Sequence, residues 1–183
     1  MEEFSPPIYR KAIALIRNFD TGNMLRWLAV YQKKSRSLNF VTGDRLEGES
    51  FREAILREVA WQLDVDRNDF LTSKMAQLNL EFMETLPHAS VETHYHVAFY
   101  NVEVFRPTVI ETIQSRSELV WVTSEEICNG KTRLGVPFNP TLSFLINRSA
   151  VIQHWESAQS QRCLLYTSPS PRDLSTSRMP SSA

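Results

Sequence analysis

One stretch of the sequence, residues 43–65 (GDRLEGESFREAILREVAWQLDV), places a carboxylate where it could do chemistry. The stretch begins as a loop that contains Gly43 and Gly48 and then continues with a helical pattern. On that helix Glu58 and Gln62 are four residues apart, so they share one face. A helix carboxylate beside a glycine-containing loop is able to bind a divalent cation or to accept a proton from water.

The helix that positions this carboxylate has its own start signal and its own buried face. Ser50 and Glu53 form an S-x-x-E pair, a capping box that satisfies two free amide donors at a helix start. Apolar residues recur at three- and four-residue steps, which predicts a face that packs on a core. These residues are Phe51, Ala54, Ile55, Val59 and Leu63. Trp61, three residues after Glu58, is expected to share a different face with Glu58 and Gln62.

The stretch resembles the signature of the Nudix hydrolases, G-x5-E-x7-R-E-U-x-E-E-x-G-U, in which U is a bulky aliphatic residue. The residues that match at the required intervals are Gly43, Glu49, Arg57, Glu58, Val59 and Val65. Gly48 and Glu49 also reproduce the Gly-Glu pair that is usual before the helix. The departures lie at the C-terminal end, where Trp61 and Gln62 replace two acids and Asp64 replaces a glycine.

The resemblance implies an α/β (α+β) fold with a Nudix-like mixed β-sheet sandwiched between helices. It also implies a hydrolase that cleaves a phosphoanhydride bond in a nucleoside diphosphate linked to another moiety, with Mg²⁺ or Mn²⁺ as cofactor. By the same resemblance Glu58 is the catalytic residue. The expected metal ligands are Glu58, the Gly43 carbonyl, Gln62 and Glu118, and the expected orienting residues are Gly48, Glu49 and Arg57. The expected partner is a nucleotide-type small molecule, and a homodimer is a further expectation because this fold often dimerises.

Two negative charges are missing from this expected metal site. Trp61 offers no ligand, and Gln62 offers only a neutral carbonyl oxygen. We therefore expect the metal to be weakly held and catalysis to be weakened, although a phosphate-rich substrate can bring its own metal. Candidate substitute acids are Glu47, Glu111 and Glu118.

Two other interpretations of the sequence stay open. The first alternative is a catalytically inactive Nudix-fold module that binds nucleotides or a protein partner. The second is a structural interaction domain in which an exposed Trp61 is the anchor. A hydrolysis rate that depends on Glu58 would separate the enzyme from both alternatives.

The composition limits the partners and the compartment. The 183 residues include 20 basic and 21 acidic side chains, a net charge of −1, so no excess of positive charge favours nucleic acids or membrane surfaces. No apolar run approaches the roughly 20 residues of a membrane span. Of the two cysteines, Cys128 and Cys163, the second lies in a tail that we exclude from the domain. We therefore expect no disulfide, and we expect the protein to lie in a reducing compartment, the cytoplasm.

The chain is predicted to consist of three segments: a flexible leader at 1–8, a Nudix-like domain at 9–162 and a non-native tail at 163–183. The tail begins with CLLYTSPSPRD, which resembles the translation of a transposase-type sequencing adaptor. A Ser/Pro-rich disordered tail is the alternative interpretation. In either case we expect the segment not to pack on the domain.

The order of elements around the platform favours a mixed α/β sandwich. Strands are predicted at 9–17, 25–31, 38–41, 76–86, 91–105 and 118–122. The first two strands form a hairpin across the turn FDTGN, and a polar connection is predicted at 106–117. Thr123 or Ser124 caps a short helix, and Asn139-Pro140 opens the last helix, which ends at about Ile152.

Overall fold

The computed structural model describes residues 6–19, 22–86 and 90–152. The strands are β1 (Ile8–Phe19), β2 (Leu25–Gln32), β3 (Ser37–Asn39), β4 (Thr42–Asp44), β5 (Phe70–Thr72), β6 (Leu78–Glu84), β7 (Thr93–Val104) and β8 (Leu119–Val122). The helices are α1 (Phe51–Leu63), α2 (Pro107–Ser115), α3 (Ser124–Cys128) and α4 (Pro140–Ser149). One compact unit ends at Val151, and a second begins at Ile152. The predicted tail at 163–183 and its boundary lie outside the described residues, as does most of the predicted leader.

The described strands form one mixed sheet around β1 and β7. These two long strands run parallel to each other, and Ala12 lies opposite Ala98. Strand β1 is antiparallel to β2 and to β4, where Gly43 lies opposite Ala12. Strand β7 is antiparallel to β5 and β6, and β2 pairs with β3 and β8. The predicted mixed-sheet fold is confirmed.

Helices cover both faces of this sheet. Helix α1 packs on the face that carries alternate residues of β1 and β7, where its buried residues join one apolar cluster. The sheet residues of that cluster are Ala12, Ala14, Ile16, Ala98, Tyr100 and Val102. Tyr95 lies on the opposite face, because neighbouring strand residues alternate. There Phe82 stacks on Tyr95 at 5.1 Å between ring centroids, and Phe144 of α4 packs against Phe82 at 6.1 Å.

Most predicted strands are confirmed, with two differences that matter for the site. The β1–β2 hairpin is present, but the strand predicted at 38–41 ends at Asn39 as β3, and a separate strand, β4, begins at Thr42. Strand β4 pairs with β1, so it holds Gly43 beside the sheet centre rather than in a free loop. Strand β5 was not predicted, because its three residues are too short to show an alternating pattern.

The polar connection predicted at 106–117 is wrong, because helix α2 occupies most of it. Pro107 indicated a break in the chain, but it is the first residue of the helix, where its missing N–H costs nothing. Ile113 is the buried residue of this helix. Among the described residues, no helix has both the length and the apolar character needed to cross a membrane.

Candidate functional site

Helix α1 starts and packs as its sequence predicts. The Ser50 hydroxyl accepts a hydrogen bond from the Glu53 amide at 3.2 Å, and the Glu53 carboxylate accepts one from the Ser50 amide at 2.8 Å. Both orphan donors of the capping box are thus satisfied. The buried residues are Ala54, Ile55, Val59 and Leu63, while Phe51 is half-buried at the edge of the same cluster. Glu58 and Gln62 continue the row that begins at Ala54, so they lie beside this buried face and next to β4.

Gly43 allows α1 to lie directly on strand β4. A Cβ atom at this position would be 2.6 Å from Glu58 Cγ and 2.9 Å from the Ala54 carbonyl oxygen. Both distances are shorter than any normal contact, so a side chain at residue 43 would push the helix away. The structure therefore brings Gly43 and Glu58 together, as the resemblance implies.

Arg57, in the middle of α1, forms an ion pair with Glu49, which precedes the helix. Arg57 donates two hydrogen bonds to the two carboxylate oxygens of Glu49, at 3.1 and 3.0 Å, and a third to the Asp44 carbonyl at 2.9 Å. A bidentate pair of this kind fixes both side chains. These bonds hold the pKa of Glu49 below its ordinary value. Gly48, with a φ of +76°, makes the turn that places Glu49 in front of the helix.

Both carboxylate oxygens of Glu58 accept hydrogen bonds from this chain. Arg57 donates from Nη1 to Oε1. The Gln62 amide nitrogen donates to Oε2 at 3.0 Å and also to the Thr42 carbonyl at 3.1 Å. The Glu58 side chain is 14% exposed. Glu58 thus lies against β4, at the edge of the buried face of α1 and one turn from Ala54.

Comparisons with known proteins support the fold through solved structures of low sequence identity. The sequence matches no protein-family model and no curated protein. The Ap4A hydrolase of C. elegans superposes with a TM-score of 0.57 at 10% identity, over 83% of this chain and 98% of that chain. The fold is Nudix-like. Shewanella oneidensis NrtR superposes with a TM-score of 0.52 at 13% identity, over 79% of this chain and 64% of that chain. NrtR in complex with a 27mer DNA has a TM-score of 0.50 at 15% identity, over 79% and 62% of the two chains.

The polar residues of this Nudix-like fold do not fit a resident divalent cation. Such a cation needs several oxygen ligands, and carboxylates supply the charge that holds it. The described residues contain no group of three His, Cys, Asp or Glu side chains able to bind a metal. Of the predicted ligands Glu58, Gln62 and Glu118, only Glu58 is an acid that lies beside Gly43. N–H donors already bind both of its carboxylate oxygens. Gln62 presents its nitrogen rather than its oxygen to Glu58.

Glu118, the fourth predicted ligand, pairs with Arg116 near the C-terminal end of α1 rather than with the Glu58 site. Its carboxylate accepts a hydrogen bond from Arg116 at 2.8 Å. Arg116 in turn donates to the Leu63 carbonyl at 2.8 Å and to the Gln62 carbonyl at 3.3 Å. Hydrogen bonds from its own backbone amide and from Arg116 hold the pKa of Glu118 below its ordinary value. Glu118 therefore supports the end of the helix through Arg116.

The sequence did not indicate a role for Arg116. For Trp61 it predicted only a helix face shared with Glu58 and Gln62. Arg116 is 53 residues from Leu63, so no local pattern connects the two. Trp61 is 77% exposed and does not join Glu58 and Gln62 in a common contact. The candidate substitute acids Glu47 and Glu111 are exposed as well. The structure thus brings Gly43, Glu58 and Gln62 together and leaves the remaining acids apart.

Proposed function

We propose that this chain is a Nudix-type hydrolase of low efficiency. Its substrate would be a nucleoside diphosphate linked to another moiety, and its reaction would be hydrolysis of the phosphoanhydride bond. The observation that carries the proposal is the close approach of Glu58 to Gly43, with Arg57 fixed between Glu49 and Glu58. The similarity in fold to an Ap4A hydrolase is consistent with a substrate of this class.

Glu58 is the proposed catalytic residue because it retains the capacity to accept a proton. A carboxylate has about four acceptor positions, and Arg57 and Gln62 together occupy two of them. The remaining positions are open to an attacking water. Arg57 and Gln62 would hold the carboxylate in one orientation, and Glu49 would hold Arg57. Gly43 and Gly48 would keep the backbone close to the substrate phosphates.

The Mg²⁺ or Mn²⁺ cofactor is proposed to arrive with the phosphates of the substrate. Magnesium is commonly bound through one or two carboxylates together with substrate phosphates, which suits a site that has a single acid. Glu58 and the Gly43 carbonyl stay in the proposed ligand set because the Glu58 side chain packs against residue 43. Glu118 leaves it because it is paired with Arg116. A cytoplasmic location and a homodimer remain predictions.

The test is turnover of a panel of dinucleoside polyphosphates and nucleotide sugars, with Mg²⁺ or Mn²⁺, by wild type and Glu58→Gln. We expect a slow but measurable release of nucleotide that falls at least about tenfold in the variant, because a positioned proton-transfer group typically contributes about 10²–10⁴-fold. Glu92→Gln is the matched control, because Glu92 is exposed and lies outside the site. Equal rates for wild type and Glu58→Gln would reject the proposal.

A catalytically inactive module is the second candidate, and one observation favours it. The carboxylate of Glu58 accepts hydrogen bonds from Arg57 and Gln62, so it needs no ligand to compensate it. Such a module would bind nucleotides or a protein partner, the latter through exposed Trp61. Nucleotide binding by calorimetry without any turnover would favour this candidate. Loss of binding in Trp61→Ala, measured with the same nucleotides, would assign Trp61 to the ligand rather than to a protein partner.

A further inference from the structure

We infer that the Gln62 amide takes the place of a divalent cation beside Glu58 and keeps that position closed to a resident metal ion. The interpretation of this position as a metal site rests on the proposed function. The hydrogen bonds of Gln62, however, are present whether or not the chain turns over a substrate. The consequence is that the free protein holds the geometry of a metal site without needing the metal.

Two oxygen atoms converge on the Gln62 amide nitrogen. The Glu58 Oε2 atom is 3.0 Å from it and the Thr42 carbonyl oxygen is 3.1 Å from it. An amide nitrogen carries two hydrogens, so it satisfies both acceptors and has none left over. Without that group, a carboxylate oxygen and a backbone carbonyl would face one common point. Oxygens of these two types are the ligands that a hard cation prefers.

A cation at this point would have to displace the amide. Magnesium binds oxygen at about 2.1 Å, well inside the space that the –NH₂ group occupies. Its entry would also put a double positive charge near Arg57, which already donates to the other oxygen of Glu58. The balance therefore favours the neutral donor in the free protein.

Gln62→Glu should reverse this balance, because glutamate has the same shape without the two hydrogens. Its carboxylate oxygen would then lie about 3 Å from Glu58 Oε2, and like charges this close cannot both stay ionised without compensation. It would also leave the Thr42 carbonyl without its donor. A bound cation would satisfy all three oxygens, so the variant is expected to depend on metal for stability.

Thermal unfolding of the full chain with EDTA, Mg²⁺ or Mn²⁺ tests this role without any nucleotide. The wild-type Tm should agree within about 1 °C in the three conditions. The Gln62→Glu Tm should be about 5 °C lower in EDTA, and Mn²⁺ should restore it. Mn²⁺ binding followed by electron paramagnetic resonance should be at least tenfold tighter for the variant than for wild type.

Three further variants assign the effect to the contact between Gln62 and Glu58. Gln114→Glu makes the same change on an exposed part of α2 and should behave as wild type. Glu58→Gln combined with Gln62→Glu removes the repulsion but not the loss of the donor to Thr42, so it should recover part of the Tm in EDTA and lose the response to Mn²⁺. Gln62→Ala opens the position without adding charge, and it should bind Mn²⁺ more tightly than wild type even if Gln62→Glu fails to fold.

Two results would overturn the inference. One is a wild-type Tm that rises with Mn²⁺ as much as that of Gln62→Glu. The other is Mn²⁺ binding that is equal in wild type, Gln62→Glu and Gln62→Ala. Because none of these measurements contains a nucleotide, absence of hydrolysis would reject the proposed function and leave the role of Gln62 standing.

Discussion

The two halves of the loop-helix platform are held in place by different kinds of contact. In the N-terminal half, residues 43–57, the site residues hold one another: Arg57 binds Glu49 and the Asp44 carbonyl, and Ser50 and Glu53 cap the helix. The pairing of β4 with β1 and the hydrogen bond from Arg52 to the Ser73 carbonyl attach this half to the rest of the fold. The C-terminal half, residues 58–64, is fixed from outside. Gln62 binds the Thr42 carbonyl, and Arg116 reaches the last carbonyls of α1 from a position just before β8.

The two halves also differ in how well they match the Nudix signature. The half that matches the signature keeps the contacts that set the loop, the helix start and the orientation of Arg57. The half that departs from it has a neutral amide and an exposed Trp61 at the positions of the two acids. This geometry therefore forms without acids at residues 61 and 62, because Arg57 and Gln62 compensate the Glu58 carboxylate.

The largest expected effect lies in the N-terminal half, where two glycines serve different purposes. Gly43→Ala should lower the free energy of unfolding by about 3 kcal/mol, because its Cβ would meet the Ala54 carbonyl at 2.9 Å and that backbone atom cannot move aside. Gly48→Ala should lower it by about 1 kcal/mol, since Gly48 has open space around it and only its φ of +76° is unfavourable. Urea unfolding of the two variants measures both.

Equal losses in the two glycine variants would mean that α1 moves off β4 at little cost. In that case the close approach of Gly43 and Glu58 would not be a fixed feature of the site. A larger loss in Gly48→Ala would show that the turn, rather than the packing of the helix on the strand, limits stability.

A smaller effect is expected from the outside support of the C-terminal half. Arg116→Met should lower the free energy of unfolding by about 2 kcal/mol, because it removes hydrogen bonds from a charged donor to Leu63 and Gln62 and leaves Glu118 unpaired. Arg116→Lys should recover about half of this loss, since it keeps the charge but not the fork of donors. Hydrogen exchange of the last turn of α1 should rise in Arg116→Met.

An unchanged exchange rate in Arg116→Met would show that the last turn of α1 needs no support from residue 116. Arg116 would then not hold the C-terminal half in place, and the comparison between the two halves would fail. Glu118→Gln is the matched variant: it keeps the shape of the side chain and should cost less than Arg116→Met, because Arg116 retains its contacts with the helix.

The fold and the N-terminal half of the site were accessible from the sequence because their signals are local. The capping box, the apolar steps of α1 and the spacing of Gly43, Glu49 and Arg57 each lie within one segment. The amide orientation of Gln62 was not accessible, because it depends on the Thr42 carbonyl, which reaches the site through the pairing of β4 with β1. The support from Arg116 was hidden for the same reason.

The secondary-structure prediction was wrong where one residue is compatible with two different structures. Pro107 ends a strand pattern and also begins a helix, and the polar residues around it favoured a connection over α2. Asp64 shows the opposite outcome: the signature has a glycine there, and the chain still adopts the left-handed conformation, with a φ of 53°. The conformation is set by the end of α1, so the residue tolerates its strain rather than changing the fold.

The smallest expected effect is the pH dependence of the Arg57–Glu49 pair. Arg57 holds the pKa of Glu49 below its unfolded value of about 4.3, so the pair stabilises the folded state above that pH. The contribution is lost as pH falls through the lower, folded-state pKa. The difference in unfolding free energy between wild type and Glu49→Gln should therefore be constant from pH 7 to about 5 and shrink towards pH 3. Glu92→Gln, at an exposed position, should show no such trend, and a Glu49→Gln difference that is equally constant down to pH 3 would place the role of Glu49 in its shape rather than in its charge.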